Sequence, residues 1–366
     1  MIMKQVGESD CAPSGFVAEK DTTLDCTLGK FELKATDTFL IENGKGVVHN
    51  FKCVGNDLHV TDKKISVGFE PDAPPMYYKE GGKETGFDYE LVKAIVKEVF
   101  PNAEMRVSAH EYDQLPMELA KKNIDIVAGG YVADNELKNV DWTATYLSFG
   151  YCLVTHLGQA SAIKDLRSLE GKTIGVYDDG ETEDWVKKNV PNVGKIVKKI
   201  DNADKKGSDW MSILQSREVD AVIYDYPFAA REVKDYNGDL VITNKCLNAP
   251  TDMKAYSFGI RCNNTEVLKR MNEAIENYKS SAAFGNLVAQ FIPNPDAGRT
   301  VAPVEVKDKG SLYEVKTGET LSMIAQAHLG DKNRYKEIYD LNAGILASPD
   351  IIYVGTFLKM PNGWKH

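Results

Sequence analysis

The chain has 366 residues, enough for two or three domains at roughly 150 residues each. Its 44 Lys and Arg stand against 54 Asp and Glu, a formal charge of −10, so it lacks the basic footprint that a nucleic-acid backbone requires. A composition 43% hydrophobic and 27% charged excludes a disordered chain, and the longest apolar run, Tyr146 to Val154, is broken by Ser148 and Gly150 and too short for a transmembrane segment.

The opening Met1-Ile2-Met3-Lys4-Gln5 holds no apolar core of signal-peptide length. Residues 1–63 read as a small β unit of no recognised family. Phe31, Leu33 and Ala35 alternate with Lys30, Glu32 and Lys34, the period of a half-buried strand. Phe39-Leu40-Ile41, the turn dipeptide Asn43-Gly44 and Val47-Val48 with Phe51 predict a hairpin. The six cysteines, at 11, 26, 53, 152, 246 and 262, form no CxxC pair, so zinc-type spacing is absent and no metal is expected. Cys26 and Cys53 could staple the hairpin, with Cys11 left over.

Residues 64–293 alternate strands with helices, which argues for parallel strands in an α/β fold. Ile65 to Phe69, Ile124 to Ala128, Lys172 to Tyr177 and Ala221 to Tyr224 read as strands. Asp88 is a good N-cap for a helix whose face is Leu91, Ala94, Ile95 and Val99, and further helices are expected around Trp185 and over Phe228 to Val233. Residues 294–311, with Pro295, Gly298 and Pro303 and no periodicity, read as a linker. A last module over 312–366 reads strand, helix, helix, strand.

That module runs Tyr313-Glu314-Val315-Lys316-Thr317-Gly318-Glu319-Thr320-Leu321, then Ile324-Ala325, Leu329-Gly330-Asp331, Tyr335, Ile338-Tyr339, Asn342 and Ile352 to Pro361. It resembles a LysM domain, a βααβ fold, with the spacing of the LysM in bacterial BON–LysM proteins. Leu321, Ile324 and Ala325 form its inward face, and Thr320 is placed to cap the first helix. The resemblance implies a shallow groove for peptidoglycan or another N-acetylglucosamine glycan, lined by Gly318, Glu319, Thr320, Leu321, Gly344, Ile345 and Leu346. The bland reading is that these residues make turns and core, with a protein as the ligand.

In the central segment, Pro74-Pro75-Met76-Tyr77-Tyr78, Gly86-Phe87-Asp88-Tyr89-Glu90-Leu91, Asp125-Ile126-Val127-Ala128-Gly129, Asp141-Trp142-Thr143, Leu169-Glu170-Gly171-Lys172 and Val219-Asp220-Ala221-Val222-Ile223-Tyr224-Asp225 follow in order. Together they resemble the family 3 solute-binding proteins of amino-acid ABC importers. The resemblance implies a two-lobed type II periplasmic-binding-protein fold. Lobe one would be 64–152 with 254–293 and lobe two 153–253, with a solute held between hinged lobes.

Carried over by resemblance, the ligand set is Glu70, Tyr112, Tyr131, Glu136, Tyr177, Asp178, Glu181, Tyr224 and Asp225. The family arginine that holds a ligand carboxylate falls on Glu136, and the threonine of its motif on Tyr131. The implied lining is acidic and rich in tyrosine, which suits a cation: carboxylates supply charge, and tyrosine faces supply roughly 0.5–2 kcal/mol each. A sugar stacked on tyrosine is the neutral option. Set against this, Glu136 could lie on a solvated helix face, Asp178 and Asp179 could only cap a helix, and Tyr77 and Tyr78 could be packing residues.

No GxSxG, HExxH or Walker A motif is present, and His110 beside Glu111 is the one acid–base candidate, so no enzyme and no cofactor are expected. The expectation is a solute-binding protein of the periplasm or outer envelope, working with an ABC permease or a sensor and tethered to peptidoglycan, its signal peptide removed or omitted. In that compartment Cys246 and Cys262 could pair. The alternative is a structural or assembly component of the envelope with a degenerate cleft.

Overall fold

Ile65, Val67 and Phe69 alternate along the strand Lys64–Phe69 and are fully buried, the period-two signature of a face turned into the core. In the computed structural model this strand is the fourth of a five-stranded mixed sheet, next to its edge. It pairs parallel with Glu104–Ala109 on one side and with Ile126–Val127 on the other. Gly259–Arg261 lies antiparallel to Ile126–Val127, and Val140–Trp142 antiparallel to Gly259–Arg261. The structure describes residues 16–17, 21–26, 29–34, 37–42, 45–50, 58–134, 137, 139–177, 181–199, 209–236, 239–295 and 312–365.

The helix Phe87–Val99 turns Phe87, Leu91, Ile95 and Val99 inward at four-residue intervals, with Val92 and Val96 beside them. Its start differs from the sequence reading. Gly86 is the N-cap, at φ 133, and Asp88 makes no cap because it lies inside the first turn, fully buried. A side chain at Gly86 would sit 2.2 Å from the Met76 carbonyl oxygen, so only glycine fits that entry.

A second five-stranded sheet runs Lys195–Lys199, Thr173–Tyr177, Ala221–Asp225, Tyr151–His156, Leu240–Asn244. Its first three strands are parallel; Tyr151–His156 is antiparallel to both of its neighbours. Helices Glu181–Asn189, Asp209–Gln215 and Tyr226–Asp235 accompany it. In the C-terminal module Leu312–Glu314 pairs antiparallel with Phe357–Lys359 and brackets the helices Leu321–Leu329 and Tyr335–Asn342. The expected inward residues Leu321, Ile324 and Ala325 are buried, and Thr320 caps its helix by accepting from the Met323 N–H at 3.2 Å. Near the N-terminus, Asp37–Glu42 and Lys45–Asn50 pair as the hairpin the turn dipeptide predicts, Phe39 opposite Val48.

The chain divides into two compact units, Met1–Tyr146 with Tyr256–Glu276, and Leu147–Ala255 with Asn277–His366. The passages between these units thus fall at 146/147, 255/256 and 276/277. The C-terminal module belongs to the second unit, together with the helix Ala282–Phe291.

One cysteine expectation is overturned. Cys262 is disulfide-bonded while Cys246 is a free thiol, so the two do not pair. Cys246 instead packs on Gly150 and points its Sγ at the Asn248 carbonyl, 3.6 Å away. Cys53, the expected partner of Cys26, lies outside the described residues, as do Cys11 and residues 296–311 of the linker.

Candidate functional site

In the first unit three rings stack in series. Tyr112, opening a short 3-10 turn, lies 4.3 Å from Tyr131 at an interplanar angle of 13°, and Tyr131 lies 5.3 Å from Trp142 at 16°. Tyr131 is the buried centre of the stack, whereas Tyr112 is 38% exposed. Burial raises the Tyr131 hydroxyl pKa, and the charges of Asp134, Asp113 and Glu70 push it further, so these three acids act on one locus. Trp142 is oriented by its indole N–H, which donates to the Asp134 carbonyl at 2.8 Å.

Asp88 holds this stack's loop in place. Its Oδ2 accepts from the Gly129 N–H at 2.8 Å, the Gly130 N–H at 2.6 Å and the Tyr146 hydroxyl. Both glycines have positive φ, so the turn that delivers Tyr131 depends on this one carboxylate and two flexible residues. Burial pushes the Asp88 carboxyl up to about 6, against the downward pull of the same hydrogen bonds. His110 is taken up by Ser108, 2.8 Å from its Nε2.

In the second unit the predicted residues Tyr177, Tyr224, Glu181 and Asp225 sit at the ends of adjacent elements. Tyr177 and Asp225 close the neighbouring strands Thr173–Tyr177 and Ala221–Asp225, and Glu181 opens a helix. The Tyr177 and Tyr224 rings are 6.1 Å apart. An ammonium does reach Asp225, but it belongs to the chain itself. Lys254 Nζ lies 3.5 Å from Asp225 Oδ1, 3.3 Å from Glu181 Oε2 and 3.3 Å from the Tyr151 hydroxyl, with its side chain only 11% exposed. The same ammonium sits 4.8 Å from the Tyr151 ring centroid and 5.7 Å from that of Phe149. Burial lowers its pKa, but Asp225, Tyr151 and Glu181 outweigh that and the net shift is upward. Lys254 was missed in the sequence because a lone lysine carries no motif; only its place on the strand Lys254–Tyr256 brings it to the acids. Glu136 and Asp178 lie outside the described residues.

Of the seven residues assigned to a glycan groove, Gly344 and Ile345 are exposed and Glu319 is half-buried, while Gly318, Thr320, Leu321 and Leu346 are buried. Glu319 folds back on its own loop, accepting from the Lys316 N–H at 2.7 Å and the Tyr313 hydroxyl at 2.6 Å. Among the described residues no cluster of three His, Cys, Asp or Glu is arranged to hold a metal, and no helix is long and apolar enough to cross a membrane.

Comparison with known proteins supplies the family. Residues 65–294 match the bacterial extracellular solute-binding proteins, family 3, and residues 313–361 match the LysM domain. The L-cystine-binding protein TcyJ of Escherichia coli K12 is 28% identical over 58% of this chain and 76% of its own length. The potassium binding protein Kbp of E. coli O6:H1 is 38% identical over 23% of this chain and 53% of its own. An ancestral arginine-binding protein, solved bound to arginine, is 29% identical over 63% of this chain and 99% of its own, with a TM-score of 0.51. The two mixed sheets and the βααβ module are those of the type II periplasmic-binding fold and of LysM. The family is one of extracellular binders rather than enzymes. The chain therefore belongs to the family 3 extracellular solute-binding proteins, carrying a C-terminal LysM domain.

Proposed function

We propose that this protein captures a small solute bearing a positively charged group, for an ABC permease or a sensor at the cell envelope, and that its LysM domain holds it near peptidoglycan. The observation that carries the charge assignment is the Tyr112–Tyr131–Trp142 stack with Glu70, Asp113 and Asp134 acting on its centre. A partly exposed tyrosine stacked on two more rings, with three carboxylates acting on the middle one, favours a guanidinium, ammonium or quaternary amine. The arginine and cystine named for the relatives agree with a solute carrying an amino group.

Lys254 refines the reading. With Asp225 and Glu181 already facing one internal cation, the second unit contributes a net charge near −1 from these three groups, so a monocationic head suits it better than a polyamine. Thermal unfolding of the whole chain against L-arginine, L-lysine, L-cystine, choline, spermidine and L-glutamate tests this. A solute at 100 times its dissociation constant adds roughly 2.7 kcal/mol of stability. A shift with a monocation, lost in Tyr112→Ala, supports the proposal; a shift with glutamate alone refutes the charge assignment. Exposed Gly344 and Ile345 are the glycan-facing residues of this reading, and pull-down on purified peptidoglycan checks it.

A further inference from the structure

The segment Asp350–Tyr353 of the LysM domain is not directed at solvent. Asp350 Oδ2 accepts from the Ser148 N–H at 2.8 Å, and its Oδ1 lies 3.2 Å from Lys279 Nζ. Both side chains of that ion pair are largely buried, at 13% and 19% exposed. Tyr353 donates to the Pro293 carbonyl at 3.3 Å and lies 2.9 Å from the hydroxyl of fully buried Tyr226, while Lys245 sits 5.8 Å from its ring centroid. On the other loop, Gly318 meets the helix Ala282–Phe291 backbone to backbone. A side chain at Gly285 would lie 2.8 Å from the Gly318 carbonyl carbon and oxygen. Buried ion-pairing, a buried tyrosine pair and a glycine–glycine approach are features of a built interface rather than of a domain on a free tether.

The position of Asp350 gives the interface a consequence. Ser148 and Lys279 lie two and three residues beyond the points where the chain passes between its two units, at 146/147 and 276/277. We propose that the LysM domain is docked on the solute-binding part of the second unit rather than held on a free tether, and that Asp350 is the strut that clamps the segments at Ser148 and Lys279. The matched arginine-binding structure aligns over 99% of its own length with only 63% of this chain, so that match gives no precedent for the strut. The inference does not depend on which solute is bound.

The test uses the full-length protein with Asp350→Ala and, independently, Gly285→Leu, which wedges the dock open from outside the LysM domain. Hydrogen exchange at the Ser148 amide is expected to rise at least tenfold in both variants, while exchange at Ile324 and Ala325 stays unchanged and reports a folded LysM core. Spin labels carried on unnatural amino acids at exposed Lys188 and Lys336, one on the solute-binding part of the second unit and one on the LysM domain, are expected to show a broader distance distribution in both variants. Unchanged exchange at Ser148 in both overturns the docking. Faster exchange with an unchanged distance distribution overturns Asp350 as the strut that holds the dock.

Discussion

Replacing Lys254 by Met keeps the stem over Phe149 and Tyr151 and removes only the ammonium. At an effective dielectric near 20, a charge pair at 3.5 Å attracts by about 4–5 kcal/mol, most of which is offset by the cost of drying a side chain 11% exposed. The Glu181 carboxylate is 62% exposed and adds at most about 1 kcal/mol. Asp225 is only 20% exposed and loses this counter-charge, so Lys254→Met is expected to cost about 2–3 kcal/mol in urea unfolding at pH 7.5 and physiological salt. Lys254→Met with Asp225→Asn is expected to recover at least about 1 kcal/mol of the sum of the single losses, the coupling a double-mutant cycle isolates. The folded-state pKa of Lys254 is raised above its ordinary 10.5, so the pair's contribution is complete below that value and is lost only as pH rises past the folded pKa. Stability contributed by the pair is therefore flat from pH 7 to 9. A single-variant loss under about 0.5 kcal/mol, or additive losses in the cycle, would refute the reasoning that Lys254 neutralises Asp225.

Two further outcomes follow from buried polar groups. The Asp88 carboxyl titrates near 6 when folded against about 3.8 unfolded, so its contribution is fully present below pH 3.8 and is lost as pH rises through 6, by about 3 kcal/mol. The stability gap between wild type and Asp88→Asn is thus expected to shrink between pH 4 and pH 7 in urea unfolding; a gap that widens contradicts the burial argument. Thr320→Ala removes the cap of the helix Leu321–Leu329 and is expected to cost about 1 kcal/mol, seen as faster amide exchange at Met323 and Ile324. No change there would show that the cap is replaced by water.

The strands were legible because core-facing strands carry an apolar pattern: Ile65, Val67 and Phe69 alternate, Ala221 to Tyr224 is a continuous run, and the two read directly onto Lys64–Phe69 and Ala221–Asp225. The LysM module was legible to its cap, since Thr320 and the Leu321, Ile324, Ala325 spacing are local signals. Asp88 was misassigned because an aspartate at a helix start looks alike whether it caps or is buried; the glycine two residues earlier does the capping, and the partners Gly129 and Gly130 are some forty residues away. The place of Tyr131 as the buried middle ring of a stack was not legible, because stacking on Tyr112 and Trp142 is set by the fold of three separate segments. Lys254 and Asp350 were invisible for the same reason: each is a single charged residue in a sequence with 98 of them, 44 basic and 54 acidic, and only tertiary pairing singles it out.

Mass spectrometry of small molecules released from the purified full-length protein by denaturation puts the question of the solute most directly. The account predicts a compound with one positively charged group, present in near-stoichiometric amount in wild type and depleted in Tyr112→Ala. A purely anionic compound, retained equally by both proteins, would contradict it.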